Sequence, residues 1–351
     1  MRLTLMYAVV VLACAATPAL ASGPPAPTSP EGVVTAFYYP WFATITEDGD
    51  YAHWAQYGHL PPNDISSVYY PALGVYSSDD PSVLDAQMGE IERAGIGQIA
   101  VSWWGKGSPE DQRLPAVATA ARAHGIDVAV HIEPYRGRTV ASVLDDVAYL
   151  APLGIRTFFV YQAFTLPPAS WADANDTLHA EGYITYADTA LVGQAVTGHF
   201  TGVYTYDIVT WTGAKFARIC AQAHKHHLLC APSVGPGYDA RRAIGDPTVK
   251  PRRGGLTYDS MWHAAIRSGA DAVTITSFNE WQEGTQIEPA APPDRRGRYS
   301  YASYNGYSYA SYDGAWGLTG RAAESAYLDR TAFWISRFLP IQEAESYPVS
   351  T

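Results

Sequence analysis

Two carboxylates stand three residues apart in the stretch SFNEWQEGTQIEP, residues 277–289. They are Glu280 and Glu283, and a third acid, Glu288, follows five residues later. The stretch directly follows an apolar run, DAVTIT, that is typical of a buried strand. Glycoside cleavage commonly uses two carboxyl groups, one to protonate the leaving oxygen and one to act on the opposite side of the sugar. A solvated surface pair is the alternative, but the place at the end of a buried strand favours a functional pair.

Aromatic and polar side chains recur at the ends of the other apolar runs. In an α/β barrel the carboxyl ends of the strands surround one shared mouth, and reactive side chains gather there. Flat rings with a hydrogen-bonding edge, mixed with acids, favour an uncharged polyol such as a sugar. The candidates at these ends are Tyr38, Tyr39, Trp41, Trp103, Trp104, His131, Glu133, Tyr135, Tyr161, Tyr204, Tyr206, Tyr238, Asn279 and Trp281.

Some of these candidates also have a structural interpretation. For His131 and Glu133, a buried structural hydrogen bond is the alternative to sugar contact. Trp103 and Trp104 lie on opposite sides of a strand, so one of them is expected to pack in the core.

The composition narrows the class of ligand. The 351-residue chain is 47% hydrophobic and 16% charged, so a large core is expected, and its net charge is −11. An acidic chain is a poor partner for a phosphate backbone, so no nucleic acid is expected. His224, His226 and His227 have metal-like spacing but are expected in a solvated turn at a helix end, far from the mouth. We therefore expect no metal and no cofactor.

The elements that must position these residues alternate regularly along the chain. Apolar runs of this kind are typical of strands buried on both faces of a parallel sheet. Eight of them are predicted strands, beginning at Val33, Gln98, Asp127, Arg156, Gly182, Phe200, His227 and Asp271. Segments with helical spacing lie between them, and four end at Gly95, Gly125, Gly154 and Gly269. The segment that ends at Gly125 is predicted to begin at Leu114. The alternation predicts the α/β class, as a single (β/α)8 TIM barrel with extended βα loops over residues 33–340.

The two ends of the chain are predicted to lie outside the barrel. Residues 1–21 combine one arginine, an apolar run and small residues at Ala19 and Ala21, which predicts a signal peptide, with a signal anchor as the alternative. Residues 22–32 are predicted to be a Pro-rich linker and residues 341–351 a C-terminal tail. No other segment approaches the roughly 20 apolar residues of a membrane span. We expect a secreted or exported monomer, in an extracellular, periplasmic or secretory-pathway compartment.

Two further features lie outside the strand ends. Cys220 and Cys230 are too few for a disulfide scaffold or a zinc site and are expected to be small core residues, with a single bridge as the alternative. An eight-residue Tyr-rich segment is duplicated at residues 299–306 and 307–314. Two copies cannot form a solenoid, so a loop or hairpin after the last strand is predicted. A surface embellishment is favoured there over a sugar-contacting rim.

Six segments together resemble one enzyme family. They are FYYPW, YSSDDP, HIEPYRGR, VYTY, PSVGPGY and TSFNEWQEGTQIE, and they cover roughly residues 33–290 in the family's order. They are similar to the signature segments of glycoside hydrolase family 99, the endo-α-1,2-mannosidase family. The resemblance implies an endo-acting, retaining hydrolase that cuts internal α-1,2-mannosidic bonds and releases a disaccharide. The expected partner is therefore an oligosaccharide or polysaccharide.

The resemblance also implies roles for individual residues. Glu280 would act as base on the substrate's own 2-hydroxyl, giving a 1,2-anhydro sugar, and Glu283 would protonate the leaving oxygen and later activate water. For these roles Glu283 should be protonated at rest and Glu280 ionised. By motif, the residues expected to line the sugar subsites are Tyr39, Trp41, His53, Trp103, Glu133, Tyr161, Tyr204 and Asn279.

The chain departs from the family pattern at two places. Gln282 stands where family members often have histidine, and the segment YQAF at residues 161–164 stands where they often have YDSY. These changes leave the acid pair intact but alter a subsite wall. Two alternatives therefore stay open. One is a carbohydrate-binding barrel with impaired catalysis, and the other is a hydrolase of the same mechanism acting on a different α-linked polysaccharide.

Overall fold

The structure, a computed structural model, describes residues 33–292 and 309–346. The predicted signal peptide (1–21), the linker (22–32) and the first Tyr-rich copy (299–306) lie outside the described residues. No helix within the described part of the chain is both long and apolar enough to cross a lipid bilayer.

Eight parallel strands close into a barrel at the centre of the protein. In chain order they are β1 (Val34–Tyr38), β2 (Gln98–Trp103), β3 (Asp127–Ile132), β4 (Thr157–Val160), β5 (Ile184–Asp188), β6 (Gly202–Thr205), β7 (Leu229–Val234) and β10 (Val273–Ile275). Each strand pairs with the next along the chain, and β10 closes the ring between β7 and β1. Two short strands after β7, β8 (Tyr238–Asp239) and β9 (Val249–Lys250), form a separate antiparallel pair. The predicted (β/α)8 barrel is therefore confirmed.

Helices connect the strands on the outside of the barrel. They are α1 (Pro81–Arg93), α2 (Pro109–Ala123), α3 (Val140–Leu150), α4 (Ala172–Ala180), α5 (Val192–Thr197), α6 (Gly213–Lys225), α7 (Arg241–Ile244), α8 (Leu256–Arg267), α9 (Arg321–Glu324) and α10 (Ala326–Ser346). Only glycine adopts a positive φ at little cost, and it often ends a helix for that reason. All four predicted stops have φ between 65° and 74°, at Gly95, Gly125, Gly154 and Gly269.

Two helix boundaries differ from the predicted ones. The helix α2 begins at Pro109 rather than Leu114, because the hydroxyl of Ser108 accepts a hydrogen bond from the backbone N–H of Asp111 and caps an earlier start. The helix α10 continues to Ser346, past the predicted end of the barrel and into the predicted tail. Neither difference moves a residue at the strand ends.

Aromatic rings fill the inside of the barrel. The ring of Phe37 packs against His131 with centroids 4.6 Å apart, and that of Phe159 stacks on Tyr186 at 4.9 Å. Tyr204 contacts both groups, at 5.7 Å from Phe37 and 5.2 Å from Phe159. All five side chains are buried. These five rings lie directly before the carboxyl ends of β3 and β6, where they support the residues of the mouth.

Cys220 and Cys230 form a disulfide, with an S–S distance of 2.08 Å and Cα atoms 5.2 Å apart. The expectation of two separate core residues is therefore wrong, although both side chains are buried. Cys220 lies in the second half of α6 and Cys230 near the start of β7, and the chain reverses direction between them. That reversal brings the two side chains together at a Cα separation that a disulfide can span.

The second Tyr-rich copy is described from Tyr309 onward, and its tyrosines there are not at the surface. Tyr309 and Tyr312 have exposed fractions of only 7% and 3%. The ring of Tyr309 packs on Tyr70 at 5.2 Å, and that of Tyr312 packs on Tyr327 of α10 at 4.7 Å. The predicted surface embellishment is therefore wrong for these two residues, because the segment runs between the loop after β1 and α10.

Candidate active site

The acid pair lies on a loop that leaves the end of β10 and folds back on itself. The Ser277 N–H donates to the Thr285 carbonyl (3.0 Å), and the Ile287 N–H donates to the Ser277 carbonyl (2.9 Å). The Ser277 hydroxyl also accepts a hydrogen bond from the backbone N–H of Glu280 at 2.8 Å. We call residues 276–288 the acid loop. Its closed shape holds both carboxylates at the carboxyl end of the barrel.

Glu280 is buried and Glu283 is half-buried, and removal from water raises the pKa of each. Burial, together with the neighbouring charge of Glu283, holds the pKa of Glu280 well above its usual range. Burial raises the pKa of Glu283 to about 7. Two close carboxyl groups titrate as a pair, so the pair retains a proton near neutral pH. Burial acts on both acids and does not assign that proton to Glu283, so the expected resting state, with Glu283 protonated and Glu280 ionised, stays a prediction.

A chain of hydroxyl groups connects Glu283 with the first strand. Tyr206 donates to Glu283 Oε2 across 3.3 Å, and its oxygen lies 2.5 Å from that of Tyr39. Asn279 fixes Tyr39 in place, since its Oδ1 accepts from the Tyr39 N–H at 2.7 Å and its Nδ2 donates to the Tyr39 carbonyl at 3.0 Å. Burial holds the pKa values of both tyrosines well above the usual range, so both hydroxyls keep their protons. The structure thus brings these predicted site residues to the acid pair.

Glu283 borders two cavities at the mouth of the barrel. The first has a volume of about 340 Å³, and its lining includes Tyr161, Tyr206, Tyr238, Asp207 and Asp246. The second has a volume of about 250 Å³, and its lining includes Trp41, His53, Gln56, Glu280 and Gln282. Among the residues that the structure describes, neither lining includes a lysine or an arginine. An uncharged ligand therefore fits these cavities better than an anion.

Trp41 and His53 form one wall of the second cavity as a stacked pair. Their ring centroids are 4.2 Å apart and their planes differ by 8°. Burial lowers the pKa of His53 to about 4, so the imidazole is neutral at neutral pH. Gln282 Nε2 donates to the His53 carbonyl at 2.5 Å. The amide that replaces the family's usual histidine therefore connects the acid loop to this wall.

His131 and Glu133 lie in the barrel interior, below the mouth. Glu133 Oε1 accepts from the Ser102 hydroxyl at 2.7 Å, and His131 Nε2 lies 2.8 Å from the Tyr204 hydroxyl. The atoms His131 Nδ1 and Glu133 Oε1 are 3.0 Å apart, but they are not aligned for a hydrogen bond. Structural contacts therefore account for part of the environment of both residues, and their sugar-binding role stays a prediction.

Two of the predicted tryptophans are core residues. Trp103 is fully buried and its indole N–H donates to Asp111 Oδ1 at 2.8 Å. Its neighbour Trp104 is the exposed member of the pair, as the alternation along a strand requires. Trp281 is also fully buried, and it donates to Glu288 Oε2 at 2.6 Å. Neither Trp103 nor Trp281 presents a free face to a sugar in this structure.

The predicted tyrosines divide into two groups. Tyr161 and Tyr238 border the first cavity, and the ring of Tyr161 packs edge-on against Tyr206 at 5.1 Å. Tyr135 instead donates to Asp146 of α3, so its hydroxyl points away from the acid pair. Tyr161 and Tyr238 therefore line the mouth, and their contact with a sugar stays a prediction, whereas Tyr135 fixes the loop after β3.

Two acids near the pair are not among the residues predicted from the sequence. Asp188, the last residue of β5, accepts from the Tyr206 backbone N–H at 3.1 Å, and burial raises its pKa to about 6. Asp207 borders the first cavity, and its charge adds to the effect of burial on the pKa of Glu283. Both acids stand at or just after a predicted strand end, so the rule that selected the other candidates also applies to them.

The histidine cluster at the end of α6 is a surface feature. His224 Nε2 lies 2.9 Å from Asp271 Oδ2, and 42% of the histidine side chain is exposed. Within residues 33–292 and 309–346, no group of three or more His, Cys, Asp or Glu side chains is arranged to hold a metal ion.

Three comparisons with known proteins lead to one family. Glycosyl hydrolase family 99 matches residues 30–338 of this chain. A glycoprotein endo-alpha-1,2-mannosidase-like protein of Danio rerio is 34% identical over 313 residues, which are 73% of this chain and 70% of that protein. A glycoprotein endo-alpha-1,2-mannosidase of Xenopus laevis is 31% identical over 331 residues, which are 76% of this chain and 72% of that protein.

A solved structure is similar over nearly the whole barrel. The GH99 endo-alpha-mannosidase from Bacteroides thetaiotaomicron, in complex with Bis-Tris propane, superposes with a TM-score of 0.77 at 30% identity. The match covers 90% of this chain and 99% of that one. Sequence and fold therefore agree over far more than half of the chain. This protein belongs to glycoside hydrolase family 99 and is a glycan-acting hydrolase.

Proposed function

We propose that the enzyme cleaves internal α-1,2-mannosidic bonds of mannose-containing glycans with retention of configuration. The observation that carries the proposal is the position of Glu283, which borders both cavities, together with the buried carboxyl group of Glu280, which borders the second. An endo-acting enzyme must hold sugar residues on both sides of the bond that it cuts, and two cavities bordering one acid provide for that. The names of two relatives, the endo-alpha-1,2-mannosidase-like protein of Danio rerio and the endo-alpha-1,2-mannosidase of Xenopus laevis, support the linkage.

In the proposed first step, Glu280 takes the proton of the substrate's 2-hydroxyl as its oxygen attacks the anomeric carbon. The bond between the anomeric carbon and the leaving oxygen breaks, and Glu283 donates its proton to that oxygen. The product is a 1,2-anhydro sugar with no covalent bond to the enzyme. In the second step water attacks the anomeric carbon, and the bond between that carbon and O2 of the anhydro sugar breaks. Glu283 takes a proton from the attacking water, and the proton on Glu280 returns to O2. Two inversions leave the configuration retained.

The environment of the two acids supplies what these steps need. A hydroxyl is a weak nucleophile, and proximity to the anomeric carbon and a positioned base make it effective. The raised pKa of Glu283, about 7, keeps a proton available for the leaving oxygen near neutral pH. The Tyr206 hydroxyl donates to Glu283 and stabilises its ionised form once the proton has left. Over the two steps Glu280 returns the proton that it takes, and Glu283 regains from water the proton that it gives. The pair therefore needs no net proton from bulk solvent.

The two cavities provide the sugar subsites on the two sides of the cut. Trp41 and His53 offer ring faces in the second cavity, and Tyr161 and Tyr238 offer rings and hydroxyl groups in the first. Such rings pack against the C–H faces of a pyranose while their polar edges bind hydroxyl groups. The sugar-binding roles of these residues are part of the proposal.

The test is incubation of the purified protein with α-1,3-glucosyl- and α-1,3-mannosyl-capped α-1,2-mannosides. Products are followed by mass, and the anomer that forms first is followed by NMR. We expect release of a disaccharide with retained configuration. Glu280→Gln and Glu283→Gln should each lower kcat/KM by roughly 100- to 10,000-fold, the usual contribution of a positioned acid or base. Glu181→Gln, at an exposed position, is the matched control and should keep the wild-type rate.

Each other outcome has a defined meaning. Wild-type rates in both acid variants would overturn the roles assigned to Glu280 and Glu283. Glycan binding without turnover would favour the carbohydrate-binding barrel that the changes at Gln282 and in YQAF raise as an alternative. Turnover of another α-linked polysaccharide, lost in the same two variants, would keep the mechanism and change the substrate.

We also propose that the enzyme works as an exported monomer. One barrel carries both acids and both cavities, so a second copy is not needed to complete the site. The apolar segment at residues 1–21 and the Cys220–Cys230 disulfide both fit an oxidising compartment outside the cytosol. Light scattering measures the mass in solution, and N-terminal sequencing of the exported protein tests cleavage near residue 21.

A further inference from the structure

A half-buried cation that the proposed reaction does not use contacts the backbone of the acid loop. Arg252 lies just after β9, and its Nη2 donates to the Gly284 carbonyl at 2.9 Å and to the Gln286 carbonyl at 2.7 Å. These residues follow Glu283 by one and three positions. Hydrogen bonds from a charged donor are roughly twice as strong as neutral ones. The backbone that carries the proposed acid is therefore tied to one guanidinium.

Aromatic rings surround this guanidinium on several sides. Its central carbon lies 4.6 Å from the ring centroid of Tyr69, 4.8 Å from that of Tyr312 and 4.5 Å from that of Tyr327. Contacts between a cation and an aromatic face strengthen when both are removed from water. The three rings therefore fix the position of Arg252 and, through it, the position of the acid loop.

Tyr312 also contacts the acid loop directly. Its hydroxyl lies 2.8 Å from the Glu288 carbonyl and 3.2 Å from the Gln286 carbonyl, and it donates to these oxygens. Gln286 thus accepts hydrogen bonds from both Arg252 and Tyr312. Tyr312 belongs to the second copy of the Tyr-rich duplication, residues 307–314. The duplicated segment is therefore connected to the backbone beside the proposed acid.

On its other side the acid loop is in tight contact with Asp239 of β8. The Glu283 carbonyl accepts from the Asp239 N–H at 2.7 Å. Gly284 has a φ of +64°, and an added Cβ there would lie only 3.1 Å from the Asp239 carbonyl oxygen. The loop is thus held between β8 on one side and the side chains of Arg252 and Tyr312 on the other. Loss of the contacts with Arg252 and Tyr312 would leave Glu283 free to shift.

We infer that Arg252 and Tyr312 are positioning residues for Glu283, so that Tyr312 of the second Tyr-rich copy supports the acid loop. Both residues act through backbone atoms and touch no reacting group. The inference rests on the proposed role of Glu283 as the acid. A misplacement of about 1 Å in a catalytic group can cost roughly 100-fold in rate, so partial release of the loop should cost about 10-fold.

Tyr312→Phe tests the inference, because it removes the hydroxyl and keeps the ring against Arg252. We expect kcat on the capped α-1,2-mannoside to fall about 10-fold with little change in KM. Amide hydrogen exchange should become faster across residues 283–288, as measured by mass spectrometry. Arg252→Lys keeps the charge but cannot reproduce the planar fork. It should lower kcat further and move the alkaline limb of the pH–rate profile.

Tyr309→Phe is the matched control from the same segment. The Tyr309 hydroxyl accepts from the Ile65 N–H at 2.8 Å and donates to the Asn63 carbonyl at 3.2 Å, so it holds a different loop. This variant should keep the wild-type kcat and the wild-type exchange of the acid loop. A merely structural role would lower stability in both phenylalanine variants and leave the pH–rate profile unchanged.

Two results would overturn the inference. One is wild-type kcat, pH–rate profile and amide exchange in Tyr312→Phe, and the other is an equal loss in Tyr309→Phe. If the wild-type protein releases no sugar at all, the proposed function fails instead. The exchange comparison between the two variants then still decides whether Tyr312 holds the acid loop.

Discussion

The hydroxyl of Tyr206 lies 3.3 Å from Oε2 of Glu283 and 2.5 Å from the hydroxyl of Tyr39, so one tyrosine connects the proposed acid to the first strand. Burial, followed by the charge of Glu283, holds the pKa of Tyr206 well above its usual range. The tyrosine therefore stays protonated and donates a hydrogen bond to Glu283. A donor favours the ionised carboxylate and thus opposes the effect of burial on the pKa of Glu283. Tyr206 therefore limits how far that pKa rises.

We expect Tyr206→Phe to move the alkaline limb of the kcat/KM–pH profile to higher pH. Without the donor the pKa of Glu283 rises further above about 7, and a carboxyl group that acts as an acid then stays protonated over a wider range. At its optimum the variant should be about 10-fold slower, because one hydrogen bond to the ionised form is lost. A limb that stays in place would show that Glu283 is not the group that titrates.

The carboxylate of Glu133 acts on the acid pair in the opposite sense. Its charge adds to the effect of burial and raises the pKa of Glu283. We expect Glu133→Gln to lower that pKa of about 7, so the alkaline fall of kcat/KM should move to a lower pH than in the wild type. Initial rates from about pH 5 to about pH 9 measure both limbs. Shifts of the same sign in Glu133→Gln and Tyr206→Phe would contradict this assignment.

The strand ends were the part of the site that the sequence predicts best. Parallel strands of a barrel bring their carboxyl ends to one mouth, so strand assignments alone place Tyr39, Tyr206 and Glu283 together. The structure has these residues within one connected group of hydrogen bonds. The same rule does not say which face of a strand a side chain occupies. It therefore selected Trp103, which the structure places in the core.

Contacts between distant parts of the chain could not be predicted from the pattern. Gln282 reaches the carbonyl of His53 across 229 positions, and Arg252 reaches that of Gln286 across 34. Neither contact leaves a periodic signal, because each depends on how two loops meet in space. The disulfide is similar, since a spacing of 10 residues fits a bridge or two free thiols equally well.

Removing the disulfide should lower stability and leave catalysis unchanged. The Cys220–Cys230 bridge closes a loop of 10 residues between α6 and β7, and constraint of the unfolded chain by such a loop is worth about 3 kcal/mol. We expect the double variant Cys220→Ala/Cys230→Ala to lose roughly that much free energy of unfolding in urea titrations. A reductant should destabilise the wild type and not the variant. Equal stability of the wild type with and without reductant would contradict the bridge.

Glu288 lies at the base of the acid loop, where it is fully buried. It accepts hydrogen bonds from Tyr76 Oη at 2.8 Å, from Gln87 Nε2 at 2.8 Å and from Trp281 Nε1 at 2.6 Å. Burial nevertheless raises its pKa from 4.5 to about 7. The folded protein therefore keeps a proton on Glu288 at pH values where the unfolded chain has lost it. Through this group, stability declines as pH rises from about 4.5 to 7.

We expect Glu288→Gln to flatten the stability–pH curve over that window, because an amide does not ionise. The shift of this pKa corresponds to roughly 3 kcal/mol between the two ends of the window. At low pH the variant should itself be less stable than the wild type by about 1 to 3 kcal/mol, since its amide nitrogen faces groups that donate. Urea midpoints at about pH 5 and about pH 8 measure both effects, with exposed Glu181→Gln as the control. Glu280 and Glu283 titrate in the same sense, so some decline of stability with rising pH should remain in the variant. If the urea midpoint of the variant falls between these two pH values as steeply as that of the wild type, Glu288 is ionised throughout.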